Sequence, residues 1–233
     1  MVETAPQVSG TPPRRRSAGV VLVASGLALF VVELVAVLTV RAPYDLALQA
    51  VSDLGASRCG PLDTYDPPVE VCSPAAAFLN GTWVLTGVLV AVAAWVLRPR
   101  ATGTAGTLSV LLLAVAALAQ AGVGLLPVDE ALEPHLLVAL GGFLAQLVGL
   151  LLLGVALGRV ADSRGYATVV LGLGVVTAVA AGLLVVTTAG LLHLPLGLVE
   201  RAVIYPFQVW MVVHGLRALA PATPATPAVP AGQ

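Results

Sequence analysis

Six long apolar stretches constrain the fold of this chain more than any other feature of its sequence. They occupy residues 17–40, 74–97, 105–126, 135–158, 167–190 and 199–218. A helix rises about 1.5 Å per residue, so roughly 20 apolar residues cross the hydrocarbon core of a bilayer, which is about 30 Å thick. The sequence therefore predicts an all-α, polytopic protein of the cell membrane, built as a bundle of six transmembrane helices.

The composition agrees with a membrane protein and separates a core domain from its ends. Hydrophobic residues make up 58% of the chain and charged residues 10%, whereas soluble proteins carry about 25% charged residues. Residues 1–16 and the Pro/Ala-rich tail 220–233 are predicted to be disordered, because such segments bury too little apolar area. Residues 17–219 form the predicted transmembrane domain. Its first stretch exceeds the roughly 7–15 apolar residues of a signal peptide, so we expect an uncleaved helix.

The arginines predict the orientation of the bundle. With a cytoplasmic N-terminus, the outer side carries three arginines and the inner side carries the other eight of the eleven: Arg14, Arg15, Arg16, Arg98, Arg100, Arg159, Arg164 and Arg217. Cytoplasmic loops are enriched in Lys and Arg. Both termini are therefore predicted to be cytoplasmic, and the longest loop, residues 41–73, is predicted to lie outside the membrane.

Both cysteines of the chain lie in this loop. Cys59 and Cys72 would face an oxidising compartment, which favours a disulfide. In the chain-entropy model, closing a loop of this size stabilises the fold by about 3 kcal/mol. A metal or redox pair is the alternative, but the two cysteines lack the CxxC spacing of such sites.

Glu33 is the most informative single residue, because it lies within the first apolar stretch. A carboxylate at that depth costs about 2.5–3.5 kcal/mol on insertion scales, so it should face the bundle and have a partner. Arg201, at the start of the sixth stretch, could supply an ion pair that explains both charges. A functional site and a purely structural contact remain equally open for Glu33.

Other polar residues fall at a similar depth once the topology is applied. With Glu33 they are expected in the outer third of the bundle, and they are Asp53, Asn80, Gln120, His135, Glu200 and Arg201. We predict that they form an outward-facing polar pocket. Each also has a simpler interpretation as a hydrogen bond between helices. Gln146 and Gln208 lie nearer mid-membrane and are not included in this pocket.

The sequence matches none of the common catalytic or cofactor motifs. It contains no HExxH, no Walker motif, no GxGxxG and no GxSxG, so neither a zinc site nor a nucleotide cofactor is predicted. Three scattered histidines do not make a metal site. We therefore expect no cofactor and no metal, and a net charge of −1 gives no indication of nucleic-acid binding.

Several motifs make the sequence similar to a known family. They are Ser52-Asp53-Leu54-Gly55 after the first helix, Cys72-Ser73-Pro74 with Phe78-Leu79-Asn80 at the second, Leu126-Pro127-Val128-Asp129 with His135 after the third, and Glu200-Arg201 at the sixth. Over residues 18–219 the chain resembles the prokaryotic membrane proteins called domain of unknown function 998. Leu79 interrupts the phenylalanine–asparagine pair usual in that family. The resemblance implies a six-helix bundle without an established activity, and it adds Asp129 to the predicted pocket.

Three functions remain open from the sequence. The first is a pocket that binds a lipid headgroup or a small solute, in a protein whose only certain partner is the lipid bilayer. The second is a structural or accessory membrane subunit. The third is a lipid-active hydrolase or transferase that uses Asp53, Asp129 and His135. The sequence does not predict an oligomeric state.

Overall fold

The computed structural model describes residues 13–99 and 102–220, and six long helices dominate them. These are α1 (Pro13–Thr39), α2 (Ala76–Val96), α3 (Gly103–Leu125), α4 (Leu132–Gly158), α5 (Arg164–Thr188) and α6 (Leu196–Leu219). All six are long and apolar enough to cross a membrane. The predicted all-α, six-helix membrane architecture is confirmed.

The helix ends differ from the predicted boundaries by at most three residues, except at the start of α1. That helix begins at Pro13 rather than near residue 17, so Arg14, Arg15 and Arg16 are helical instead of disordered. Proline suits the first position of a helix, because its fixed φ matches the helix and its missing N–H would be unpaired there in any case. The predicted disorder of residues 1–12 and 221–233 lies outside the described residues.

The helices form a closed ring in chain order. Each packs chiefly against its sequence neighbours, and α6 returns to pack against α1. The side chains at the centre of the ring are large and fully buried, and Leu22, Leu113 and Trp210 are examples. The outward surface keeps large apolar side chains exposed, such as Leu137 at 74%. A surface of that kind fits lipid better than water.

The segment between α1 and α2, residues 40–75, is folded rather than a simple connector. It contains a 3₁₀ turn (Val51–Gly55) and a hairpin of β1 (Gly60–Leu62) and β2 (Val69–Val71). Cys59 and Cys72 form the predicted disulfide at the base of this hairpin. We call residues 40–75 the cap. The end of the bundle that the cap covers is called the cap end.

The cap is held against the bundle by backbone and apolar contacts. Leu198 N–H at the start of α6 donates to the carbonyl of Ala47 in the cap (3.1 Å), while Arg41 N–H donates to that of Cys72 (2.9 Å) within the cap itself. Ala56, Leu62 and Val71 of the cap bury a small cluster with Val128 from the α3–α4 connection. The cap therefore has its own core and a defined position over the cap end.

Candidate functional site

A cavity with both polar and apolar lining lies inside the ring, between α1, α2, α3, α4 and α6. It offers about 80 Å³ to the centres of water-sized molecules, where about 10–15 Å³ suffices for one buried water. Val51 and Ser52 of the cap contribute to its wall. The polar side chains that line it are Glu33, Ser52, Gln120, His135, Gln146, Glu200 and Gln208.

Helical spacing brings these side chains together. On α4, His135, Ala139, Gly142 and Gln146 follow one another at intervals of three or four residues, so they share one face. Small residues in the middle of this face leave room beside the two polar ones. His135 and Gln146 are eleven positions apart, which corresponds to about 16 Å along the helix axis. The cavity thus runs from the cap end toward the middle of the bundle.

The same spacing recurs on the facing helices. Glu200, Ile204, Phe207 and Gln208 form one face of α6, and Ala116, Ala119, Gln120 and Val123 form one face of α3. Each face mixes one or two polar residues with apolar ones. The cavity wall is therefore largely apolar, with separate polar groups at defined positions, as in most small-molecule sites.

The structure brings half of the predicted pocket residues to the cavity. Glu33, Gln120, His135 and Glu200 line it, while Asp53, Asn80, Asp129 and Arg201 lie in contacts around it. Three further polar lining residues were not among the predicted ones: Ser52, Gln146 and Gln208. The sequence signal that could have identified the two glutamines is helical spacing. Gln146 lies eleven residues after His135 and Gln208 lies eight residues after Glu200, so each pair falls on one helix face.

A buried ion pair joins α1 to α6 beside the cavity. Arg201 Nε lies 2.7 Å from Glu33 Oε1, and both side chains are more than nine-tenths buried. The hydroxyl of Tyr205 donates to the same carboxylate at 3.1 Å. These contacts supply the partner that a carboxylate at this depth requires, and the Glu33–Arg201 pair expected from the sequence is present.

The rest of the Arg201 guanidinium binds the cap. Nη1 donates to the carbonyl oxygens of Leu46 (2.8 Å) and Gln49 (3.1 Å), and Nη2 donates to the hydroxyl of Tyr44 (2.7 Å). Gly197, one turn earlier on α6, makes this approach possible, because a Cβ there would collide with those same two carbonyl oxygens. Arg201 therefore connects α1, α6 and the cap.

Asp53 is buried within the cap rather than exposed to the cavity. Its Oδ2 accepts hydrogen bonds from the Tyr65 hydroxyl (2.6 Å) and from the backbone N–H of Ala50 (3.1 Å). Burial disfavours the charged carboxylate and raises the pKa of Asp53 to about 6, although these two hydrogen bonds oppose the shift. Asp53 thus fixes the 3₁₀ turn that carries Val51 and Ser52.

Asn80 and Asp129 hold the other side of the same turn. Asn80 Nδ2 donates to the carbonyl of Gly55 (2.8 Å). Asp129 Oδ1 accepts from the backbone N–H of Ser57 (2.8 Å), and its Oδ2 accepts from that of Arg58 (3.0 Å). These residues attach the cap to α2 and to the α3–α4 connection. In the described part of the chain, no three His, Cys, Asp or Glu side chains converge as metal ligands.

Comparison with known proteins agrees with this architecture. The family model described as "Protein of unknown function (DUF998)" matches residues 22–217. The chain belongs to the DUF998 family. The searches of curated proteins and of solved structures give no significant match.

The motifs that carry the DUF998 resemblance meet at the cap end. Ser52 faces the cavity, and Asp53 and Gly55 in the same turn bond to Tyr65 and Asn80. His135 Nδ1 lies 2.6 Å from the carbonyl of Leu126, and Arg201 reaches the cap. In this DUF998 protein, the motifs therefore form the cap and one end of the cavity.

The buried ion pair generates a prediction for stability. Glu33→Leu and Arg201→Leu should each lower the free energy of unfolding by about 3–5 kcal/mol, because each leaves a buried charge without its partner. The double variant should lose clearly less than the sum of the two losses. Denaturant unfolding of the purified protein in detergent micelles measures this coupling, and strictly additive losses would contradict it.

A second prediction concerns pH. The pKa of Asp53 rises from 3.8 to about 6 on folding, so the folded protein binds this proton more tightly than the unfolded chain does. The resulting gain in the free energy of unfolding is fully present below about pH 4 and is lost as the pH rises from about 4 to 6. The loss should reach about 3 kcal/mol. In Asp53→Asn this component should vanish. Asp63→Asn, an exposed residue of the same cap, should retain it, and equal pH profiles for the two variants would refute this assignment.

Proposed function

We propose that the cavity of this DUF998 protein is a binding site for a small polar solute or a lipid headgroup, reached from the outer face of the membrane. The observation that carries the proposal is the group of seven polar side chains around open space inside a membrane-spanning bundle. Polar groups at membrane depth are costly and commonly mark ligand or transport pathways. Gln208 adds to this argument, because it is 4% exposed and its Oε1 has no hydrogen-bond partner among the described residues.

The cap is positioned to control access to the cavity. The backbone N–H of Val51 donates to Glu200 Oε2 at 2.6 Å, so a lining residue of α6 is bonded directly to the cap. Binding a ligand at Glu200 and moving the cap would thus be coupled. We interpret the cap as a lid that covers the occupied site.

The arginine distribution supports placing the cap outside the cell. Arg98, Arg159, Arg164 and Arg217 all lie at the end of the bundle opposite the cap. The Cys59–Cys72 disulfide also fits an oxidising compartment. Both features support cytoplasmic termini.

The two alternative functions receive less support from the geometry. A hydrolase or transferase would need Asp53, Asp129 and His135 around one reacting centre, yet only His135 lines the cavity. A purely structural role accounts for the Glu33–Arg201 pair and for Asn80. It does not account for open space beside Gln146, Glu200 and Gln208, because a structural bundle gains by filling such space.

Binding can be tested with three probes that represent different headgroup chemistries: ethylammonium, glycerol and inorganic phosphate. At least one should raise the unfolding midpoint of the purified protein, by roughly 2–4 °C for each kcal/mol of binding free energy. Ala139→Leu, which places a larger side chain in the cavity, should abolish that shift. Differential scanning fluorimetry in micelles measures it.

The matched control is Ala202→Leu, the same change at an exposed position of α6. It should respond to the probes like the unsubstituted protein. If no probe shifts the midpoint, or if both variants respond equally, the cavity is not the binding site and the structural alternative gains.

The orientation can be tested by thiol labelling of intact cells. A membrane-impermeant maleimide should label Asp63→Cys in the cap and leave Asp162→Cys, in the α4–α5 connection, unlabelled until the cells are opened. Both positions are exposed, so accessibility of the side chain itself does not distinguish them. The reverse labelling pattern would show that the cap faces the cytoplasm.

A further inference from the structure

The hydrogen bonds behind the cavity wall determine which atoms face the open space. Gln146 Nε2 donates to the carbonyl of Val203 (2.7 Å) and to Thr177 Oγ1 (3.2 Å). The Thr177 hydroxyl gives its only hydrogen to the carbonyl of Leu173 (3.0 Å), so it must accept from Gln146. Both amide hydrogens of Gln146 are therefore used behind the wall, and its Oε1 is left as a free acceptor.

Gln120 has the same arrangement on α3. Its Nε2 donates to Thr86 Oγ1 (2.9 Å), and the Thr86 hydroxyl donates to the carbonyl of Thr82 (2.6 Å). A second acceptor for Nε2 is the carbonyl of Trp83 (3.5 Å). These hydrogen bonds fix the orientation of the Gln120 amide and leave its Oε1 as a free acceptor, as at Gln146.

His135 presents a third acceptor. Its Nδ1 lies 2.6 Å from the carbonyl of Leu126, and a carbonyl can only accept, so Nδ1 carries a proton. In the neutral ring, Nε2 is then an acceptor. His135 is 4% exposed and lines the cavity.

Glu200 provides a carboxyl group that has no salt bridge among the described residues. Its Oε2 accepts from Val51 N–H, and Oε1 has no bond of this kind. The salt bridges among the described residues are Arg58–Glu130 and Arg201–Glu33, so Glu200 has no cationic partner there. Arg201 makes no direct bond to Glu200, because its N–H groups bind Glu33, Tyr44 and backbone carbonyls.

We propose that the cavity selects a primary ammonium group, an inference that rests on the proposed function above. Glu200 is a carboxyl group that lines the cavity without an ion-pair partner among the described residues, so an ammonium group beside it supplies both a positive charge and N–H donors. Of the other three acceptors, His135 and Gln146 lie about 16 Å apart along α4, so one ammonium group reaches only those nearest Glu200. The rings of Trp83, Phe143 and Phe207 also line the cavity, and aromatic rings attract cations. The ligand is a free small amine or the ethanolamine headgroup of a lipid, which share this chemistry.

An anion fits this cavity less well than a cation. Phosphate or carboxylate needs donors, and those of Gln120, Gln146 and Arg201 already bind protein oxygens, which leaves the Gln208 amide and the Ser52 hydroxyl as donors in the lining. Adding a negative charge beside Glu200 would also be repulsive. Glycerol carries donors but no positive charge, so it should bind more weakly than an ammonium of similar size.

The test compares the affinities of the purified protein for ethylammonium, glycerol and inorganic phosphate by isothermal titration calorimetry. Ethylammonium should bind most tightly, and Glu200→Gln should weaken it about tenfold or more while keeping an acceptor for Val51 N–H. Glu130→Gln, the same change at a cap-end surface pair, should leave the affinity within about twofold.

The outcomes separate this inference from the proposed function. Tighter binding of glycerol or phosphate, or equal affinities in Glu200→Gln and Glu130→Gln, overturns the ammonium assignment while a binding cavity survives. Failure of all three probes overturns both. In phosphatidylcholine nanodiscs, competition of phosphatidylethanolamine with ethylammonium identifies the lipid as the source of the ammonium, and its failure to compete leaves a free amine.

Discussion

The pairing of Arg201 with Glu33 is the interaction on which the rest of the structure depends. An unpaired carboxylate inside α1 would be costly in a membrane. Arg201 Nε on α6 lies 2.7 Å from Glu33 Oε1 and supplies the partner that offsets this cost. The same guanidinium then holds the carbonyls of Leu46 and Gln49. One buried cation thus closes the helix ring between its first and last members and positions the cap above it.

The cavity follows from how polar groups are shared around that ring. Thr86, Thr177 and backbone carbonyls behind the wall accept the amide hydrogens of Gln120 and Gln146, so the two amide oxygens stay free. Since Arg201 pairs with Glu33, Glu200 is left as a cavity carboxyl group without a salt bridge among the described residues. A protein that only needed to pack its helices would have no reason to keep such acceptors beside open space.

The sequence predicted the fold well and the site in part. Apolar length alone gave the six helices, because crossing a bilayer imposes a minimum length. Depth along the chain identified Glu33, Gln120, His135 and Glu200 but could not separate them from Asp53 and Asn80, whose side chains form hydrogen bonds with the cap. The hairpin within the cap carries few of the usual strand signals, since its strands have three residues each. Predicting Gln146 and Gln208 would have required knowing which faces of α4 and α6 point into the bundle. The spacing in a single sequence is consistent with the correct faces but does not determine them.

The most direct test of this account is an experimental structure of the protein in a lipid nanodisc, at a resolution that shows ordered waters. The account predicts density for waters or a bound molecule in the cavity, within hydrogen-bond distance of His135 Nε2, Gln146 Oε1 and Glu200 Oε1. It also predicts that Arg201 contacts both Glu33 and the cap. A collapsed cavity, with neighbouring side chains filling the space beside Glu200, would contradict it.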